Sequence, residues 1–358
     1  MSSLIAIVMA AGHGTRMKST LPKVLHRAAG RPLVYYPVKA ALELGATRVV
    51  VVVNPATHEP VATALASELP EAQLSYAVQQ VPQGTGDAAR VGLAGAGAKD
   101  DDVVLVLSGD TPLLTSADLA PLTDALASGR DLAFLSFEPA NPHGYGRVVR
   151  DASGAPLAIV EQKDLQGDSQ RAIREVNAGM YAARAGVLGR ALSGLTNENA
   201  QREYYLTDVV RSVAAAGPVV AATVAESAAA GVNQRDELAR AEEILYARIR
   251  ERLGKSGVTV VGRPLIDDSV EIEADALIDD GVRLRGRTRI GAGTHVDVGV
   301  VMDDATVGQR CVIKPYCVVS QSSVGDGVQM GPFAHLRPNS VLEDEVHVGN
   351  FVETKQTT

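Results

Sequence analysis

The chain has 358 residues, 46% of them hydrophobic and 21% charged, with a formal net charge of −8 and a pI near 5.4. At about 150 residues per domain, that length holds two domains with sizeable cores. The acidic balance excludes a broad electrostatic grip on nucleic acid and favours a small ligand.

Met-Ser-Ser leads straight into a six-residue apolar run, without the basic flank and longer apolar stretch of a signal peptide. No segment reaches membrane-spanning length, so the expectation is a cytoplasmic chain with no membrane partner. LIAIVM (4–9), RVVVVV (48–53) and DVVLVL (102–107) are apolar runs without alternation, which suit strands covered on both faces, and Ala- and Leu-rich helical patterns follow the first two. Strands alternating with helices predict an α/β, Rossmann-like, mainly parallel sheet up to roughly residue 225. Ligands of such sheets bind beyond the carboxyl ends of the strands.

One such end opens into VMAAGHGTRMKSTLPKVLH (8–26). Gly12 and Gly14 let the main chain approach a phosphate closely, with several N–H groups aimed at it. Arg16 offers phosphate a planar fork of donors, Lys23 offers a point charge, and Pro22 stiffens the chain before the lysine. Lys18 reads as a solvated surface charge. The loop is no Walker motif, because Gly-Lys-Ser/Thr is missing, and Met17 stands where a dinucleotide fingerprint has its third glycine.

From Asn233 to Leu253, Leu238, Ala241, Leu245, Ile249 and Leu253 recur at helical spacing, which predicts an amphipathic linker helix over 233–254 with Gly254 as its stop. The period then becomes six. Positions 266, 272, 278, 284, 290, 296 and 302 are aliphatic, and after a slip so are 312, 318, 324, 330, 336, 342 and 348. Small or β-branched residues stand four positions on, among them Val270, Val282, Thr288, Thr294, Ala334 and Ser340. Such a hexapeptide repeat predicts a parallel β-helix in which aliphatic side chains stack. Cys311 and Cys317 fall inside it; two cysteines make no disulfide framework or zinc site and read as buried thiols in a reducing compartment. None of the seven histidines stands in a credible triad and no Gly-x-Ser-x-Gly elbow exists, so nucleophilic hydrolase chemistry is set aside.

The text MAAGHGTRM followed by LPKVLH resembles the signature of sugar-1-phosphate nucleotidylyltransferases, with Met9 in place of the usual leucine. The resemblance continues in order through QGTGDA (83–88), LSGDTPLL (107–114), NPHGYGRVVR (141–150), IVEQKD (159–164), EVNAGMY (175–181), NAQREYYLTDVV (199–210) and GVNQRDEL (231–238). Joined to hexapeptide repeats that contain GPFAHLRP and VHVGNFVETK, these segments are similar to the bifunctional N-acetylglucosamine-1-phosphate uridyltransferases and glucosamine-1-phosphate acetyltransferases. That family implies a nucleotidyltransferase domain over 1–232, the linker helix, and an incomplete left-handed β-helix over 255–358.

The resemblance further implies Mg²⁺-dependent transfer of a uridylyl group from UTP to N-acetylglucosamine-1-phosphate, giving UDP-N-acetylglucosamine and pyrophosphate. Met9, Ala10, Gly12 and Gly14 match its nucleotide-binding loop, and Arg16 and Lys23 its charge-neutralising residues. Asp110 and Asn233 match its metal ligands, although alone they also read as a turn aspartate and a helix cap. Gln79, Gly84 and Thr85 match uracil-binding positions, while Pro82 replaces a second glutamine. Gly146, Glu161 and Asn177 match the positions that hold the sugar and its acetamido group; singly, the last two also read as surface polar residues. Tyr204 and Tyr205 read as packing residues, and Arg202 replaces a usual glycine. In the second reaction Arg337 and Lys355 match residues holding the sugar phosphate, whereas His335 and His347 match no catalytic position. The family's catalytic histidine and most of its coenzyme A site come later than Thr358. The expectation is therefore a truncated form that does not acetylate, with acetyl-CoA a partner of a full-length form only. A homotrimer formed through the β-helix is also implied. The competing readings are another sugar-1-phosphate nucleotidylyltransferase and a catalytically silent regulatory or assembly subunit.

Overall fold

The computed structural model describes residues 2–12 and 14–356. It divides into two compact units, residues 1–26 with 32–238, and residues 27–31 with 239–358.

In the first unit the apolar runs form the central strands. These are β1 (Leu4–Met9), β2 (Arg48–Val53), β3 (Leu74–Val78), β4 (Val103–Ser108), β5 (Leu132–Phe137), β6 (Arg147–Arg150), β7 (Pro156–Val160), β8 (Val176–Arg184) and β9 (Val219–Thr223). Ile7, Val8, Val51, Val52, Leu105 and Val106 are fully buried, because helices cover both faces of a parallel sheet and leave no polar side. The main sheet runs β9-β5-β8-β4-β1-β2-β3, with β6 and β7 branching from β8. β1 lies parallel to both β2 and β4, whereas β8 runs antiparallel to β4 and β5. The expected mainly parallel sheet is thus present, with β8 reversed in the main path and β7 reversed in the branch. The carboxyl ends of β1 and β4 lie side by side, where Gly109 N–H donates to Met9 O at 2.9 Å.

The helix Arg235–Lys255 buries Ala241, Leu245, Ile249 and Leu253 as the spacing predicts, together with Tyr246. Gly254 does not stop it. The left-handed stop is Gly257, at φ +92°, and two bonds close the end: Val258 N–H to Leu253 O at 3.1 Å and Gly257 N–H to Gly254 O at 3.2 Å.

The repeats beyond it form the left-handed parallel β-helix, three parallel sheets of two- and three-residue strands. Early coils pair residues 18 apart, Leu277 with His295 for example. Ile266, Ile278, Leu284, Ile290, Val296 and Met302 fill the interior as expected. The register then differs from the sequence reading. Val307, Ile313 and Val319 point inward, and Val312 and Val318 are only half-buried, because the side after Met302 is five residues long instead of six. A second short side, Val319 to Val324, brings the interior onto the expected positions 324, 330, 336 and 342. Val270, Val282, Thr288, Thr294, Ala334 and Ser340 are all buried, and Thr288 and Ser340 use their hydroxyls on the carbonyls of Arg285 and Arg337. Both cysteines are buried and unbridged, and burial pushes their thiols up.

Candidate active site

β1 feeds the glycine-rich loop, which tightens into a single turn of 3-10 helix, Thr15–Met17, anchored by buried Met17. Gly14 takes φ +59°, and a Cβ there would collide with the Cβ of Lys23. The glycine thus lets the lysine stem lie against the loop. Lys18 is exposed, as its reading requires. Lys23 opens a second short turn behind Pro22.

The Lys23 ammonium donates to Asp110 Oδ2, and also to Asn233 Oδ1 at 3.1 Å. Arg16 Nη2 donates to the same Asn233 oxygen at 2.8 Å. Asp110 follows β4, and Ser108 Oγ donates to its other oxygen at 2.6 Å. Its main-chain carbonyl accepts from Val232 N–H at 2.8 Å, which draws Asn233 alongside. Asn233 does not serve as a side-chain cap. Glu237 reaches back to the Asn233 N–H at 2.6 Å, leaving the amide oxygen of Asn233 turned to the two cations.

One carboxylate and one amide oxygen therefore reach a single donor atom, so both can touch one cation. Gly231 flanks Asp110, and a Cβ there would stand 3.3 Å from Oδ1, so the missing side chain keeps that side of the carboxylate open. Hard oxygen donors in this arrangement fit a divalent ion that also takes phosphate oxygens.

Two cavities meet at this group and share Met9, Thr85, Ser108 and Asp110. The one of about 340 Å³ is lined by Ala10, Gly12, Lys23, Gln79, Pro82 and Gly84 as well. Gly84 takes φ +105° at the start of the helix Thr85–Ala96, and a Cβ would stand 2.6 Å from Tyr204 O. Thr85 Oγ1 accepts from Leu206 N–H at 3.1 Å, so this hydroxyl helps hold the loop that follows Tyr204. Pro82 lines the cavity without an amide to offer.

The other cavity, of about 400 Å³, brings Gly146, Glu161 and Asn177 together with Arg16 and Asn233. Asn177 N–H donates to Gly146 O at 2.9 Å, and Asn177 Oδ1 accepts from Gly179 N–H at 3.0 Å. A Cβ on Gly146 would stand 2.8 Å from Ile159 Cγ2, which keeps β6 and β7 close. Burial raises the Glu161 carboxyl above the ordinary range, against the smaller opposing effect of Thr207 Oγ1, which donates to it at 3.1 Å. Neither Glu161 nor Asn177 is a fully exposed residue. A larger cavity of about 750 Å³ shares only Glu161 with this group, so size is no guide to the site.

Tyr205 is buried, and desolvation pushes its phenol up to about 12. Arg202 adopts φ +56°, a left-handed position at which a glycine carries no strain. In the second unit, Arg337 N–H donates to Thr354 O at 3.1 Å, so Arg337 and Lys355 take equivalent places on successive coils. His335 and Arg337 both face Glu353 Oε1, at 3.7 and 3.5 Å, and His347 is exposed. Sequence reasoning missed Asp87, Thr207 and Glu237, which hold Gln79, Glu161 and Asn233. The only signal for Glu237 was its place in the first turn of the helix.

Residues 6–177 match the MobA-like NTP transferase domain, and residues 260–358 match the GMPPB C-terminal domain. Bifunctional protein GlmU of Sorangium cellulosum is 50% identical over 359 residues, covering 99% of this chain and 75% of that protein. The GlmU protein of Anaeromyxobacter sp. strain Fw109-5 is 48% identical, covering 99% of this chain and 72% of its own length. That of Caldanaerobacter subterraneus is 41% identical, with 96% and 74% covered.

Proposed function

The chain belongs to the bifunctional GlmU family, and from that premise we propose how its residues divide the work of a uridylyl transfer. The activity is that of an N-acetylglucosamine-1-phosphate uridyltransferase, and the family uses a divalent metal for it. An oxygen of the sugar phosphate attacks the α-phosphorus of UTP; a P–O bond forms there as the bond to pyrophosphate breaks. Such a displacement needs in-line positioning and charge neutralisation, with no covalent enzyme intermediate.

Arg16 and Lys23 neutralise the triphosphate, and the backbone of Met9, Ala10, Gly12 and Gly14 cradles it. Gln79, Gly84 and Thr85 receive the base. Gly146, Glu161 and Asn177 receive the sugar and its acetamido group. Mg²⁺ is the ion we assign to Asp110 and Asn233, where it would supply positive charge to phosphate oxygens. The observation that supports this division is the meeting of Lys23 and Arg16 with Asp110 and Asn233.

The test is pyrophosphate release from UTP and N-acetylglucosamine-1-phosphate with Mg²⁺, set beside glucose-1-phosphate. Equal turnover of glucose-1-phosphate would reassign the sugar; no release with any pair would favour a regulatory subunit. The product, UDP-N-acetylglucosamine, is a cell-wall precursor. Residues 260–358 match the GMPPB C-terminal domain and carry Arg337 and Lys355, and the GlmU relatives support the acetyltransferase role, against the expected loss of acetyl transfer. No helix among the described residues is long and apolar enough to cross a membrane. We place the protein in the cytoplasm, where buried free thiols stay reduced, and assign it a homotrimeric assembly through the β-helix.

A further inference from the structure

Gln79 and Asp87 are both more than nine-tenths buried, at 5% and 7% exposure, beside the cavity of about 340 Å³. Gln79 Nε2 donates to Asp87 Oδ2 at 2.7 Å and to Gly84 O at 3.3 Å. A carboxylate and a peptide carbonyl can only accept, so the amide cannot be turned round without setting its oxygen against two acceptors. Gln79 Oε1 is therefore the polar atom left to meet a ligand.

Asp87 is held in turn. Its Oδ1 accepts from Arg90 Nη2 at 2.6 Å, and the Arg90 guanidinium lies over the Tyr204 ring at 5.0 Å. The main chain of Tyr204 is tied on both sides, its N–H to Gln83 O at 2.8 Å and its carbonyl to Gly86 N–H at 2.7 Å. A connected set thus runs from the loop at Tyr204 through Arg90 and Asp87 to Gln79, and each member fixes the next.

We propose that Asp87 is the positioning residue that makes Gln79 an obligate acceptor toward the base, and so selects a uridine over a cytidine triphosphate. This rests on the assignment of Gln79 to the base. Uracil carries a hydrogen on N3, which an acceptor can take. Cytosine has a lone pair there, and two facing acceptors repel. Pro82 supplies no second amide, so the choice rests more heavily on the orientation of this one side chain.

The substitution Asp87→Asn tests it with a defined direction. Arg90 holds the oxygen of the new amide, whose NH₂ then faces Gln79. Gln79 turns its oxygen inward and offers Nε2 to the base. The expected result is a fall of about tenfold or more in the ratio of kcat/KM for UTP to kcat/KM for CTP, the size of one hydrogen bond made or lost. A merely structural role would lower both values together and leave the ratio alone. Gln79→Ala separates the two layers. If it leaves the ratio unchanged, Gln79 does not read the base and the proposal falls with that assignment. If it lowers the ratio while folded Asp87→Asn keeps it, Asp87 does not position Gln79. Should circular dichroism show Asp87→Asn to be unfolded, Asp87→Ala, on a helix that tolerates alanine, carries the same expectation of a lowered ratio, and a kept ratio overturns the proposal.

Discussion

The ammonium of Lys23 bonds to the carboxylate of Asp110, and both lie mostly out of solvent, at 15% and 14% exposure. A cation from the N-terminal loop is thereby set against the aspartate that follows β4, where Asn233 Oδ1 also reaches it.

Asp110 carries the only formal negative charge of the proposed metal pair. Asp110→Asn keeps the shape and the hydrogen bond from Ser108 but removes that charge. The expected outcome is a loss of about a hundredfold or more in uridylyl transfer, in a protein that still folds although Lys23 has lost its charged partner. Near-normal pyrophosphate release from a folded Asp110→Asn variant would end the metal assignment.

Glu161 makes a prediction about pH and stability. Burial raises its carboxyl in the folded protein, so between the ordinary carboxylate value and the raised one the native state binds more protons than the unfolded chain. Stability from this group is present in acid and is lost as pH rises through the raised value. Glu161→Gln does not titrate. Its stability relative to the parent should therefore be level in acid and increase as pH rises through that window, while KM for the sugar phosphate worsens. Urea midpoints measured across the pH range check this, and a difference that is flat or falls with pH contradicts it.

Gly84 occupies a backbone region closed to other residues, and the space for a Cβ is taken by Tyr204 O at 2.6 Å. Gly84→Ala should cost about 1–3 kcal/mol of stability from strain alone. It should also raise KM for UTP more than for the sugar phosphate, because the displaced turn lines the cavity on the Gln79 side. Equal changes in both KM values would show that the turn does not serve the nucleotide.

The trimer assignment is checked by light scattering. A mass near three times the 37.4 kDa chain is expected at micromolar concentration. Monomer alone would refute it.

The buried strands were legible because runs such as RVVVVV cannot leave one face in water, yet nothing in VNAGMYAAR marks β8 as a strand that reverses. In the β-helix the period of six was plain, but register failed at two adjacent aliphatic pairs, Val312 with Ile313 and Val318 with Val319. Either member of such a pair satisfies the pattern, and only the short side after Met302 decides which one turns inward. Gly254 misled for a related reason: a glycine near a helix end looks like a stop, while the terminal hydrogen bonds select Gly257 three residues on. At the site, the charges that meet at Asp110 and Asn233 were readable from the ordered motifs. Their supports were not, because Asp87 and Thr207 act through side chains that meet only after the chain has folded.

The bond between Arg16 and Asn233 joins residues 217 positions apart. During synthesis, β1, β2 and β4 can pair as soon as residue 108 has left the ribosome, whereas Asn233 is made much later. At roughly 5–20 residues per second the loop carrying Arg16 waits on the order of 10 to 40 s for that partner. Throughout this interval a nascent chain carries the glycine-rich loop and its two cations without the amide that they converge on. On the proposed division of work, catalytic competence arrives in one late step at the end of the first unit, and a chain released early yields a sheet without the Arg16–Asn233 bond.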